Sequence, residues 1–501
     1  MPLLLELLAA ALAGWGHAQA FAAEGRWWLQ LAMVAVLAAL VHRTPSARRA
    51  GVIGWAYSTA WVVGSTWWLY ISMHHYGGLP AWLAALAVFL LGAFLSLYLG
   101  VAMWWHVRSG ARERLWSPVF FAAVWLLAEL ARGTLFTGFP WAASGYAHVE
   151  GPLAPLAPWW GVYGIGFVAA WLGAAAAKAL AAGARPRGWA PLLAGLGVCV
   201  LAAAVPHEFT DPTGRLTVTL LQGSVPQDQK FSEEHLPQAL EWYAAQLDAA
   251  TTDLVITPET AIPLLPQQLP QGYWETRRQK VAQGQTAWLV GMPLGSFESG
   301  YTNSAVGLAP GMPLDYRYDK YHLVPFGEFI PFGFRWFVDL MNMPLGDFDR
   351  GPLNAPSFVV KGERVAPNIC YEDLFGEELA ARFADPKAAP TIFANISNIA
   401  WFGNTVALHQ HLQISRMRAL EFQVPMVRAT NTGATAIIDH TGRVTHELKP
   451  YVRAALTGPI QGRTGLTPYA RWASAAGLWP LGLLAAILLA AQHRFARRAS
   501  R

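Results

Sequence analysis

Eight stretches of this chain, at about 3–22, 27–41, 52–73, 81–105, 118–131, 159–182, 189–205 and 472–491, are almost free of charge and approach the ~20 residues a helix needs to cross a bilayer. In hydrocarbon such a run satisfies its backbone hydrogen bonds only as a helix. The pattern therefore predicts a polytopic α-helical membrane domain of about eight spans, the second and fifth being the shortest. Only 13% of the residues are charged, where an ordinary soluble protein has about 25%. Many of the 24 tryptophans stand near the ends of apolar runs, as interfacial anchors do. Ala18-Gln19-Ala20 has the small-x-small form of a signal-peptide cleavage site, but no basic residue precedes this first run and its apolar part is long, which favours a span.

Arginines set the predicted orientation. Arg43, Arg48 and Arg49 follow the second run, Arg108, Arg112 and Arg114 the fourth, Arg185 and Arg187 the sixth, and Arg494, Arg497, Arg498 and Arg501 the last. The alternate loops hold only Arg26 and Arg132 outside the large insertion. The positive-inside rule puts both termini in the cytoplasm and the insertion outside, which in a bacterium is the periplasm. The chain then divides into a helical domain at 1–205 with seven spans, an outer domain at 206–471, and a last span with a basic cytoplasmic tail at 472–501. The net charge of +5 is small and sits in short loops, so orientation explains it and nucleic acid is not an expected partner. The loop 133–146 is rich in Gly and aromatics and reads either as an interfacial anchor or as a substrate contact. Glu129 and Arg132, three apart at a helix end, read as an ion pair or as the lining of a polar cavity.

Beyond residue 215 the pattern changes. Short β-branched runs at 216–222, 253–257, 287–291, 391–395 and 425–429 alternate with helical stretches at 232–249 and 405–422, which predicts an α/β domain. Three places there carry chemistry. Thr257-Pro258-Glu259 stops a strand on a carboxylate, and 318–328 offers Lys320 and Glu328 in a loop bounded by Gly and Pro. The run 365–369 ends at Cys370-Tyr371-Glu372. The other cysteine, Cys199, lies in an apolar helix, so Cys370 has no expected disulfide partner and is either a buried structural thiol or a nucleophile. A thiol needs a base to attack near neutral pH, and Glu259 can serve. An acyl intermediate needs positive charge at its oxyanion, and Lys320 can serve.

In this order and with these flanks, Glu259, Lys320 and Cys370-Tyr-Glu372 resemble the Glu-Lys-Cys triad of the nitrilase, or carbon–nitrogen hydrolase, superfamily. The spans, the Phe-Pro-Trp141 loop, the segment 320–328 and Arg416-Met-Arg-Ala-Leu-Glu421 narrow the resemblance to the apolipoprotein N-acyltransferases, over essentially the whole chain. The resemblance implies an α-β-β-α sandwich on the periplasmic side of the bacterial inner membrane. It implies that a phospholipid is the acyl donor and a diacylglyceryl apolipoprotein the acceptor, with no cofactor or metal. It makes Glu259 the general base, Lys320 the oxyanion stabiliser and Cys370 the nucleophile, with Glu328, Tyr371, Glu372 and, more weakly, Asn303 supporting the site. Phe231 stands where the family often has Trp, and Ile399 and Asn404 where Asp is common, so loop contacts are the expected point of difference.

The remaining polar residues have plainer readings. His409 and His411 flank Gln410 with no third ligand at metal spacing and read as helix residues. Asp228, Lys230 and Glu233 read as a solvated face. Two rivals use the same residues: a membrane-tethered amidase or nitrilase acting on a small amide, and a transporter or scaffold with an inactive outer domain. The intact triad, and spans without the charges and helix breaks of a transport path, argue against the second.

Overall fold

The eight apolar segments are helical over most of their length, with breaks after Thr66 and after Ala476. The structure, a computed structural model, describes residues 2–22, 25–205, 207–232, 234–296, 298–340 and 347–499, with side chains as far as residue 493. Glu233 and the side chains of Arg494, Arg497, Arg498 and Arg501 lie outside the described residues. The chain divides into two units, one built from 1–70, 80–208 and 476–501, the other from 71–79 and 209–475.

In the first unit, five helices among the described residues are long and apolar enough to cross a membrane: Leu3–Ala22, Ala81–Arg108, Ser117–Thr137, Ala154–Ala182 and Pro186–Ala204. Counting as one span the broken pair Pro468–Ala476 and Trp479–His493, whose first helix lies in the second unit up to residue 475, makes six. Trp27–Arg43 falls short at 17 residues. Ala47–Thr66 begins with Arg48 and Arg49 and buries Ser58, Thr59, Ser65 and Thr66, which dilute its apolarity. The predicted run 52–73 stops as a regular helix at Thr66, and 71–79 belongs to the second unit.

Of the two readings of Glu129 and Arg132, the ion pair is the one formed, at 3.2 Å. Both are buried, and Ser144 donates from its main-chain N and its hydroxyl to the two Glu129 oxygens, each at 2.7 Å. Arg132 also donates to Ala142 O at 2.8 Å. The loop after this helix is thus fastened to a charge pair buried inside the bundle, through Ala142 and Ser144.

Among the described residues the second unit contains twelve strands: β1 (Thr210–Gln222), β2 (Leu254–Ile256), β3 (Ala287–Ser296), β4 (Gly300–Leu308), β5 (Tyr316–Asp319), β6 (Phe358–Val360), β7 (Glu363–Ile369), β8 (Ile392–Ser397), β9 (Met426–Thr430), β10 (Ala436–Ile438), β11 (Val444–Glu447) and β12 (Ala454–Gly465). They form two six-stranded sheets, ordered β12-β1-β2-β3-β4-β5 and β11-β10-β9-β8-β7-β6. The middle strands β1-β2-β3 and β7-β8-β9 are parallel, with Thr219 opposite Val255 and Asn368 opposite Asn395.

Alternation along the strands builds the layers. Leu254, Ile256 and Leu289 share one core with Val365, Ile369, Ile392, Ile396 and Val427, between the sheets. Val255, Trp288 and Val290 point the other way, against Leu240 and Leu247 of the helix Leu236–Ala249. Phe393 and Met426 pack against Leu412, Ala419 and Phe422 of the helix Val406–Phe422. Period-2 strands between period-3.6 helices give an α-β-β-α sandwich. Its parallel strands aim their C-terminal ends the same way within each sheet, where ligand sites of such sheets collect.

Candidate active site

Cys370 follows the last residue of β7 in the left-handed region, with φ of 54°. A non-glycine residue there costs about 1–2 kcal/mol and persists only if its surroundings hold it. Its carbonyl accepts from Asn395 Nδ2 and from His411 Nε2, both at 3.2 Å. Arg428 donates to His411 Nδ1 at 3.2 Å, which leaves Nε2 as the protonated nitrogen. The same Nε2 meets Asp373 at 2.9 Å, and Arg428 reaches the other Asp373 oxygen at 3.1 Å. His411 thus lies on the helix, as expected, and braces the turn that presents the thiol.

Glu259 lies three residues beyond β2, and nothing bulkier than glycine fits behind it. A Cβ on Gly291 would stand 2.2 Å from Pro258 O and 2.9 Å from Glu259 Cα. Lys320 follows β5 and is fully buried, its Nζ 3.4 Å from Glu259 and 2.9 Å from the Glu328 carboxylate. Asn303, on β4, turns its amide to both carboxylates at 2.7 Å each. The main-chain N of Asn398 donates to the other Glu259 oxygen at 2.8 Å. Glu372 accepts from Ile369 N (2.6 Å), Tyr318 Oη (2.7 Å), Tyr321 N (2.7 Å) and His322 N (3.2 Å), joining the Cys370 turn to the Lys320 loop. Tyr371 is buried, its ring centroid 5.2 Å from that of Phe375 and 5.6 Å from that of His322. Phe231 is 52% exposed, Ile399 is buried and Asn404 is exposed.

Electrostatics assign the resting protons. Burial pushes the Glu259 carboxyl up, but the Lys320 and Lys230 ammoniums and the Asn303 and Asn398 N–H groups outweigh it, so Glu259 is held below the usual carboxylate range. Cys370 keeps part of its surface open, yet burial and then the Glu259 charge push its thiol up to about 12. Lys320 is raised despite burial, by Glu328 and Glu259. The cluster is a neutral thiol beside a carboxylate and a fixed ammonium, suited to nucleophilic attack coupled to proton removal.

One expectation fails here. Asp228 is exposed, but Lys230 is buried, and its ammonium donates to the main-chain oxygen of Glu259 at 3.0 Å. Its backbone is in a turn with no periodicity, so burial comes wholly from tertiary packing. Asn398, Gln227 and Asn431 were also missed. Asn398 donates to Gln227 at 2.8 Å and accepts from Asn431 at 3.0 Å, and so fixes the main-chain donor to Glu259.

Residues 217–469 match the carbon–nitrogen hydrolase family, which sets the class of the second unit. Residues 13–175 match the apolipoprotein N-acyltransferase N-terminal domain. The chain is 51% identical over 481 residues to the apolipoprotein N-acyltransferase of Verminephrobacter eiseniae, spanning 91% of this chain and 89% of that one. It is 48% identical to that of Ralstonia nicotianae, with 95% and 92% covered, and 42% identical to that of Bordetella bronchiseptica, with 97% and 96% covered. The chain belongs to the apolipoprotein N-acyltransferase family.

Proposed function

We propose that this protein moves an acyl chain from a membrane phospholipid to the α-amino group of the diacylglyceryl-modified N-terminal cysteine of apolipoproteins. The observation that carries this reading is the convergence of Glu259, Lys320 and Cys370 at strand ends, in a chain matching N-acyltransferases along nearly all its length. The reaction is ping-pong. Cys370 Sγ attacks the donor ester carbonyl as Glu259 takes the thiol proton, and Lys320 faces the oxyanion. The carbonyl–oxygen bond breaks, the proton passes to the leaving oxygen, and a lysophospholipid departs from a thioester. The lipoprotein amine then attacks the thioester, its proton goes to Glu259, the S–C bond breaks and the thiol is restored. Glu328 and Asn303 hold the Lys320–Glu259 pair, and Glu372 holds the thiol turn to the Lys320 loop.

Purified protein in phospholipid vesicles should convert a diacylglyceryl-cysteinyl peptide to its N-acyl form and release one lysophospholipid per transfer. Hydrolysis of small amides without transfer would establish the tethered amidase instead. The membrane half suits two lipid substrates that do not leave the bilayer readily.

The family, the apolar helices and the arginine-rich loops support eight spans in a bacterial inner membrane, with 206–471 in the periplasm. Single cysteines at Ser46 and Ser296, in a background without native thiols, test this in intact spheroplasts. Ser296→Cys should react with an impermeant maleimide and Ser46→Cys should not. The reverse pattern would overturn the topology.

A further inference from the structure

Lys230 lies outside the Glu-Lys-Cys triad, yet it sits in the same cluster. Its side chain is buried, and among the described residues its Nζ makes a single hydrogen bond, to Glu259 O at 3.0 Å. An ammonium has three N–H donors, so two are unspent, and a buried charge is retained only where opposite charge offsets its desolvation. The groups whose charge acts on Lys230 are Glu259 and Cys370. Lys320 and Glu328 complete the cluster, while Asp228, two residues away, faces solvent.

Charge balance gives the lysine its meaning. Glu259 and Glu328 carry two negative charges, and Lys320 spends its own charge on both. Without Lys230 the cluster is negative by one before the reaction starts and stays so when the thiol proton moves to Glu259, which leaves a single ammonium to face both Glu328 and the new charge on sulfur or acyl oxygen. With Lys230 the resting cluster is neutral. Transfer of the thiol proton to Glu259 then leaves it neutral, with negative charge on sulfur or acyl oxygen facing two ammoniums.

We propose that Lys230 is a second cationic positioning group of the acyl-transfer site, which keeps Glu259 ionised and stabilises the charge that develops when the Cys370 thiol attacks. This rests on the acyl-transfer reading above. Burial brings the Lys230 ammonium down to about 8, with Glu259 and Cys370 opposing that fall. Its charge is therefore present at neutral pH and lost as pH rises through that value.

The test uses full-length Lys230→Met, Lys230→Gln and Lys230→Arg, each read two ways. One is the rate of Cys370 alkylation by iodoacetamide across pH, in a Cys199→Ala background. The other is acyl-enzyme formation from phospholipid vesicles, followed by intact mass. The Met and Gln variants should acylate about 10²-fold more slowly, the scale of losing one preorganised charge partner. Their thiol should become reactive only at higher pH than in the parent. Lys230→Arg, which keeps the charge, should stay within about tenfold of the parent and, unlike it, hold its advantage above the pH where lysine discharges. A structural lysine would lower the melting temperature without moving the alkylation profile, and that result overturns the proposal. So does a Met or Gln variant acylated at the parent rate. If the neutral variants do not fold, coincidence of the Arg and parent profiles at alkaline pH overturns it. If the parent alkylates normally but never takes up an acyl group, the acyl-transfer reading falls, and the alkylation profiles alone judge Lys230.

Discussion

Incubated with phospholipid and no lipoprotein, the protein should gain the mass of one acyl group on Cys370, releasing one lysophospholipid per active site. A covalent route uses one cleft for two lipid substrates in turn, whereas direct transfer would need both together and leave the thiol dispensable. A thioester also suits the second step, because an amine attacks it far more readily than an oxygen ester. Hydroxylamine should remove the label. Cys370→Ala should lose it entirely, while keeping the Lys320–Glu259–Glu328 cluster, whose hydrogen bonds do not involve the thiol. Cys370→Ser should form a slow oxygen ester that turns over poorly. Normal lipoprotein acylation by Cys370→Ala would end the mechanism.

Glu259→Gln should reduce acyl-enzyme formation by about 10²–10⁴-fold, the usual contribution of a positioned base. The thiol stays protonated through neutral pH, so attack without an acceptor for its proton is slow. Alkylation should respond in the opposite direction. The Glu259 charge opposes the thiolate, so removing it leaves Lys320 and Lys230 opposed by Glu328 alone and moves the onset of alkylation to lower pH. Faster alkylation with lost acyl transfer is the signature of a base, and retained acyl transfer would exclude that role. Because Glu259 is held below the usual carboxylate range, it loses its charge only as pH falls through that lowered value, and activity should persist to correspondingly low pH. Glu372→Gln should cost less activity and more stability, since an amide nitrogen would face a site now filled with main-chain and tyrosine donors.

The proposed triad was legible from three short stretches, the strand stop at Glu259, the Gly- and Pro-bounded loop carrying Lys320 and the end of 365–369 at Cys370, and from the family resemblance that their order and flanks carry. The layered sandwich followed from strands alternating with helical stretches. Lys230 and Asn398 were not legible, because a turn has no period and their burial is decided by chain segments more than a hundred residues apart in the case of Asn398 and Glu259. Residues 71–79 were hidden for another reason. Apolar character runs unbroken through 52–73, and composition cannot show where the helix stops and the chain joins a different unit.

The Glu372 carboxylate takes its donors from the end of β5 and its loop, in one sheet, and from the end of β7, in the other. The separation of thiol and ammonium is therefore set by a polar fastener at the rim together with the core between the sheets, to which Tyr318 and Ile369 belong and against which Cys370 packs. Because Tyr318 and Ile369 belong to both the core and the fastener, a volume change beside them would shift the rim, whereas one far from them would leave the polar joint at Glu372 in place.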